Sequence, residues 1–219
     1  MPHRHRVAQR AILERHPDVA HTYASATELR DDRVNASPES LGSPTGVYGP
    51  PDLCLRYLRD AYWNFWPSGL LIRRNAFRAS GGFVEALGAW QHWEDYFYAC
   101  ALALNESAYV LDEPLVDYRV HSASCSSRAR MTGESIVDER MGIEWFLRHL
   151  ATDHRRSLPL ELLTALEDRL TRNAHAFAAA LPGYPALTVS SGLYAPAVLE
   201  GLVSVLRTAP CQGPSAATA

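Results

Sequence analysis

The apolar and polar positions of the first 130 residues follow helical spacing in some segments and extended spacing in others. Apolar residues recur at helical intervals over 7–15, and an extended apolar run follows over 19–26. The continuous apolar run Leu70–Ile72 predicts a buried strand. Two further short strands are predicted over 108–111 and 115–120. This alternation of helices and strands predicts an α/β fold.

A helix is predicted to begin near Trp93, because apolar residues continue from it at i+4, i+7, i+8 and i+11. Glu94 and Asp95 fall in the first turn of that helix. A helix N-terminus carries partial positive charge, which favours an ionised carboxylate that could accept a proton from a hydroxyl. Acidic residues in a first turn are also ordinary capping residues, so both interpretations stay open.

The chain is predicted to have three parts. A polar stretch over 28–51, rich in proline and glycine, predicts a long irregular loop within the first part. Three amphipathic helical patterns follow the α/β block, the last of them around Leu199–Leu206. We therefore expect an α/β domain over 1–130, a helical extension over 131–208 and a disordered tail over 209–219.

Charge and composition exclude several classes of protein. The formal net charge is -3, which argues against a nucleic-acid partner. All 21 basic residues are arginines, so a P-loop lysine and a Schiff-base lysine are excluded. The scattered cysteines form no zinc motif, and no apolar run is long enough to span a bilayer. We expect a cytoplasmic protein without a transmembrane segment, with peripheral membrane association left open.

Aromatic, basic and histidine side chains accompany the carboxylates. Flat aromatic faces suit contact with a sugar ring, but core packing explains them equally well. Arginine forks could hold a diphosphate, or lie on a solvated face. His121 could ligate a divalent metal, or be an ordinary exposed residue. The aromatic residues are Trp63, Phe65, Trp66, Trp90 and Trp93, and the arginines are Arg73, Arg74 and Arg119.

Taken in order, several short motifs resemble the C-terminal, acceptor-side half of family-2 glycosyltransferases with the GT-A fold. The resemblance covers roughly residues 7–127 and implies a partial GT-A-like mixed sheet with a C-terminal helical appendage. The motifs are Pro67-Ser68-Gly69-Leu70-Leu71-Ile72-Arg73-Arg74, Gly81-Gly82-Phe83, Trp93-Glu94-Asp95, Asp112-Glu113-Pro114-Leu115 and Tyr118-Arg119-Val120-His121-Ser122.

The resemblance implies roles for these residues. Asp95 matches the catalytic base that deprotonates the acceptor hydroxyl for attack on a nucleotide sugar, and Glu94 would help hold the acceptor. Acceptor contacts are expected from Gly81, Gly82, Phe83, Trp93 and Trp66, and donor contacts from Arg119. His121 matches a metal ligand, so Mn²⁺ or Mg²⁺ is the expected cofactor of a completed site. The expected partners are a nucleotide-sugar donor and a glycan, lipid or other hydroxyl acceptor.

The chain departs from the family because the nucleotide-binding half with its Asp-x-Asp motif has no counterpart here. We therefore expect the chain alone to be inactive or very weak. Three explanations stay open: an incomplete gene product, an enzyme completed by a second chain that extends the sheet, or a non-catalytic module that binds glycans or proteins. A hydrolase using Glu94 and Asp95 is disfavoured, because neighbouring helical side chains point about 100 degrees apart.

Overall fold

The computed structural model describes residues 4–30, 38–39, 43–59, 66–83, 92–152 and 158–180. Several sequence predictions fall outside these residues: the aromatic candidates Trp63, Phe65 and Trp90, the helical pattern around Leu199–Leu206 and the tail over 209–219.

The described chain is a mixed α/β structure, which confirms the predicted class. Its helices are α1 (Arg4–Arg15), α2 (Asp52–Arg59), α3 (Arg74–Ala79), α4 (Glu94–Asn105), α5 (Cys125–Thr132), α6 (Glu134–Thr152) and α7 (Leu160–Ala180). Its strands are β1 (His21–Arg30), β2 (Pro38–Glu39), β3 (Gly46–Tyr48), β4 (Leu70–Ile72) and β5 (Ala108–Val120), and a 3₁₀ turn spans Pro67–Gly69. None of the helices in these ranges is long and apolar enough to cross a membrane.

The five strands form one mixed sheet around β1. Strand β1 pairs in parallel with β5, from His21 opposite Ala108 to Arg30 opposite Val120. Its other edge pairs antiparallel with β4 near its start and with β2 further along. Strand β3 pairs antiparallel with the first residues of β5. The six residues from His21 to Ala26 are all buried, as expected for a strand covered on both faces.

Strand β5 differs from the sequence prediction, which placed two short strands over 108–111 and 115–120. The structure has one strand of 13 residues that continues through Pro114. Leu111 lies opposite Ala24, but the next residue of β1, Ser25, lies opposite Pro114. The two residues of β5 between Leu111 and Pro114 therefore form an irregularity in the ladder. Such bulges let a strand absorb extra residues, including a proline, without ending.

The described residues separate into two compact units. The first contains the residues up to Phe83 together with Tyr98–Arg128, and it includes the whole sheet. Its fully buried side chains include Tyr23, Leu53 and Leu102. The segment His92–Phe97 belongs to the second unit, with the described residues from Ala129 onward. The turn that carries Glu94 and Asp95 therefore groups with helices α6 and α7.

The core of the second unit consists of apolar side chains from α6, α7 and the start of α4. Phe97, Ile143, Phe146 and Leu166 are all 0% exposed. Rings of Phe97 and Phe146 lie 6.2 Å apart between centroids. These contacts explain why the first turn of α4 has a fixed place against α6.

Candidate active site

The candidate site lies at the first turn of α4, in the second unit. Helix α4 begins at Glu94, so the two predicted carboxylates occupy its first two positions. The backbone N–H of Tyr96 donates to Asp95 Oδ1 at 2.7 Å. Tyr96 is the third residue of the helix, and the first N–H groups of a helix have no partner within it, so the Asp95 carboxylate satisfies one of them. Both side chains are partly buried.

Burial raises the pKa of Asp95 to about 7, and the like charge of Glu94 adds to that rise. The helix N-terminus acts in the expected direction, because the backbone N–H groups of Tyr96 and Asp95 lower the pKa. The loss of solvation on burial nevertheless has the larger effect on the Asp95 pKa, so the net shift is upward. The sequence favoured an ionised Asp95 carboxylate at the helix start, whereas burial in this turn raises the pKa of that group to about 7.

Glu94 is the second acidic group of the turn. Burial raises its pKa, against opposing hydrogen bonds from backbone N–H groups and the nearby His92. Its Oε2 is buried and has no hydrogen-bond partner among the described residues. An oxygen in this state has hydrogen-bonding capacity that no described residue uses, and a bound group satisfies it only where the surroundings of Glu94 open to admit that group.

His92 and Asp138 form a pair beside the two carboxylates. His92 Nδ1 is hydrogen-bonded to Asp138 Oδ2, and the Asp138 side chain is only 3% exposed. Burial raises the pKa of Asp138, while the hydrogen bond from His92 opposes that rise. A protonated His92 also lowers the pKa values of Glu94 and Asp95. Four titratable groups therefore interact within this one site.

The sequence analysis missed both His92 and Asp138. The available signal for His92 was its position two residues before Glu94 in the run Gln91-His92-Trp93-Glu94. The sequence carried no signal for Asp138, because this residue lies on α6, far along the chain, and no local spacing connects it to the turn.

The two tryptophans proposed to contact an acceptor are both held by protein contacts. Trp93 Nε1 donates to the carbonyl oxygen of Ser135 on α6 at 2.9 Å, and its ring meets Tyr96 edge-on at 5.2 Å. Trp66 belongs to the first unit and is 4% exposed, with its ring 6.0 Å from Tyr118. A sugar ring cannot reach Trp66 unless its surroundings move, so core packing is the better explanation of that residue.

The predicted glycine turn also belongs to the first unit. Gly81 and Gly82 have φ values of +81° and +74°, which only glycine adopts without strain, and they follow α3. Phe83 is 47% exposed, and its ring lies 4.8 Å from Tyr98 and 6.0 Å from Phe77. The turn therefore presents an exposed aromatic side chain.

The predicted donor and metal residues lie at the end of β5. Both Arg119 and His121 are exposed, and the His121 carbonyl oxygen accepts from the Ser124 N–H at 3.1 Å. No group of three histidine, cysteine or acidic side chains suited to a metal ion occurs in the described ranges. His121 and its described neighbours therefore do not fit a complete Mn²⁺ or Mg²⁺ site.

Arg73, a candidate for diphosphate binding, has a structural role instead. Its Nε donates to the carbonyl oxygen of Val19 at 2.7 Å, and its Nη2 to that of His16 at 3.2 Å. A further bond from the same Nη2 reaches the Leu13 carbonyl oxygen. The guanidinium thus satisfies carbonyl groups at and beyond the end of α1.

The structure distributes the predicted residues between the two units. The first unit holds the glycine turn with Phe83, together with Trp66, Arg119 and His121, and the second holds Trp93, Glu94 and Asp95. Comparisons of the chain with protein-family models, with curated proteins and with solved structures find no match.

Proposed function

We propose that the chain carries the acceptor-activating part of an inverting glycosyltransferase with a GT-A-like fold, with Asp95 as the general base. The observation that carries this proposal is the partly buried Asp95 carboxyl group in the first turn of α4, whose pKa is raised to about 7. A general base works best when its pKa is close to the working pH. The ordered motifs around it support the same assignment.

In the proposed reaction, the Asp95 carboxylate accepts the proton of an acceptor hydroxyl group. The hydroxyl oxygen attacks the anomeric carbon of a nucleotide sugar from the face opposite the nucleotide. The bond from that carbon to the diphosphate oxygen breaks, and the nucleoside diphosphate leaves with the electron pair. Glu94 helps to hold the acceptor, and its Oε2, buried without a described protein partner, accepts a hydrogen bond from it once the turn opens to the acceptor. Orientation of the two reactants supplies much of the rate enhancement.

A second candidate function is a non-catalytic glycan-binding module. The exposed aromatic pair of the first unit favours it: Phe83 is 47% exposed and Phe77 is 36% exposed. Aromatic faces of this kind stack on sugar rings. A chain that binds glycans only through this pair would not need a titrating carboxylate at α4.

The first test is calorimetric titration of the 219-residue chain with UDP, GDP and dTDP, in buffer containing Mg²⁺ or Mn²⁺. Transfer is then measured with the corresponding radiolabelled nucleotide sugars and a mixture of glycan and lipid acceptors, for the chain alone and for the chain completed by a nucleotide-binding half. In the completed form that transfers sugar, Asp95→Asn is expected to abolish transfer and to leave nucleotide binding unchanged. Asp168→Asn, at an exposed position on α7, is the matched control and should transfer normally in that form.

Full transfer by Asp95→Asn would contradict the proposal, because it would remove Asp95 from the chemistry. A folded chain that binds none of the nucleotides would mean either a fragment that lacks its donor-binding half or the binding module. A glycan array with the parent and Phe83→Ala separates these two, because only the binding module is expected to retain glycans through Phe83.

A further inference from the structure

A buried arginine of α7 contacts the turn that carries Asp95. Arg169 is 3% exposed and lies in the second unit. Its Nη1 donates to the Tyr96 hydroxyl group, and its guanidinium forms an ion pair with Glu139 of α6, with Nη2 2.7 Å from Oε1. Nε donates to the same Glu139 oxygen at 3.0 Å. This forked geometry holds the guanidinium in one orientation.

The same guanidinium lies over two aromatic rings of the site. Its central carbon is 4.6 Å from the centre of the Tyr96 ring and 5.3 Å from that of Trp93. Such cation–π contacts are stronger away from water. Trp93 and Tyr96 flank Glu94 and Asp95 in the chain, so Arg169 contacts the residue on each side of the acidic pair.

Glu139 is itself held by α7. Its second carboxylate oxygen accepts from Asn173 Nδ2 at 2.8 Å, and the same amide group donates to the Ile136 carbonyl oxygen at 3.0 Å. Both Arg169 and Asn173 are almost completely buried. A buried ion pair is weak evidence of stabilisation, since apolar residues of similar volume often do as well. The placement of the Arg169–Glu139 ion pair against the first turn of α4 therefore needs an explanation other than stabilisation of the fold.

We propose that Arg169 is a positioning residue for Asp95, fixing the Trp93 and Tyr96 rings so that the first turn of α4 keeps its carboxylate partly buried and correctly placed. This inference rests on the proposed function, in which Asp95 is the base. Arg169 is not a catalytic residue, because its guanidinium is buried against Glu139 and the two rings. Helices α6 and α7 thereby become the support of the site.

The test is a ¹³C-carboxyl NMR titration of Asp95 in the full chain, without donor or acceptor. In Arg169→Met the turn loosens and water reaches Asp95, so its pKa is expected to fall from about 7 by about one unit or more. Arg169→Lys, which keeps the charge and loses the fork, should recover part of the difference. Arg148→Met, a change at a 78% exposed position of α6, should leave the titration unchanged.

The nearby titratable groups Glu94, His92 and Asp138 are present in every variant, so they do not account for a difference between them. An unchanged Asp95 pKa in folded Arg169→Met would overturn the inference. Should that variant fail to fold, Tyr96→Phe removes only the hydroxyl that Arg169 contacts. A smaller fall in the same direction then supports the inference, and no change overturns it. Because no substrate is used, this result is independent of the transfer assay.

Discussion

Replacing Asp95 by asparagine is expected to make the folded protein more stable at neutral and alkaline pH. Asparagine has nearly the same shape as aspartic acid and keeps an oxygen that can accept from the Tyr96 N–H. It cannot ionise. The substitution therefore removes the unfavourable charge of a partly buried carboxylate while keeping the local hydrogen bond.

The size of the effect follows from the raised pKa of Asp95. Its pKa is about 7 in the folded chain against an ordinary value of 3.8. Between these values the folded state binds more protons than the unfolded state, so the free energy of unfolding falls as the pH rises. Each unit of pKa difference corresponds to about 1.4 kcal/mol, which gives an upper limit of about 4 kcal/mol. Partial solvent access reduces this free energy, and we expect about 2 to 3 kcal/mol.

The assay is urea unfolding of the parent and Asp95→Asn at pH values from 4 to 8.5, followed by tryptophan fluorescence. The difference in unfolding free energy between the two proteins reports Asp95 together with its coupling to Glu94, because the remaining titrating groups are common to both. It should be near zero at pH 4, grow through the window from 4 to 7, and level off above it. Asp168→Asn, at an exposed site, should differ from the parent by less than about 0.5 kcal/mol at every pH.

A difference that stays flat with pH would refute the reasoning, because it would mean that Asp95 titrates alike in the folded and unfolded chain. A variant less stable than the parent above pH 7 would refute it too. That outcome would show that the ionised carboxylate contributes favourable contacts that exceed its loss of solvation, as an ordinary helix cap does.

Three other substitutions test further parts of the structure. His92→Leu leaves the buried Asp138 carboxyl group without its partner, so its pKa should rise further and the chain should lose about 2 kcal/mol at pH 7, measured by urea unfolding. Gly142→Ala places a methyl group against the Phe97 ring closer than van der Waals contact, and should cost about 1 to 3 kcal/mol in the same assay. His21 is fully buried with neither ring nitrogen bonded to a described residue, and burial lowers its pKa to about 3. The parent should thus lose stability as the pH falls below 6.5. The unfolding free energy of His21→Leu, relative to that of the parent, should therefore rise by about 3 kcal/mol when the pH is lowered from 7.5 to 4.

Each of these predictions has a control or a refuting result. Adding Asp138→Leu to His92→Leu should recover much of the lost stability, and additive losses would contradict the pairing. Gly49→Ala introduces a methyl group with no atom within 4 Å and should be nearly neutral. For His21, equal acid sensitivity of the parent and the variant would show that the ring is already solvated.

Local patterns in the sequence were sufficient for the elements that depend on local spacing. The helix that begins at Glu94, the strand Leu70–Ile72 and the α/β class were all predictable from apolar periodicity. The prediction that Leu70–Ile72 is buried was wrong, because all three residues of this short strand are half-buried. Strand β5 was predicted in two pieces, because a proline within an apolar run normally ends a strand. Only the pairing with β1 shows that the ladder continues past Pro114.

The support of the site was not predictable, because it is formed by side chains distant in the chain. Arg169 and Glu139 look like solvated charges of amphipathic helices, and Asp138 looks the same. Their burial follows from how α6 packs against α7 and the start of α4, which no local window contains. For the same reason, the sequence suggested a sugar-binding role for Trp66, whereas packing places it in the core.

The direction of the Asp95 pKa bears on the two interpretations that the sequence left open, a reacting carboxylate and a helix cap. A carboxylate that merely caps a helix is stabilised by the N-terminal N–H groups, so its pKa falls below the ordinary value. In this turn burial and the adjacent Glu94 raise the pKa instead. Two partly buried acidic residues side by side destabilise the fold, and the same turn is held by a buried arginine and a histidine–aspartate pair. Strongly shifted pKa values cluster at functional sites, so this arrangement supports the proposed role of Asp95 as the general base.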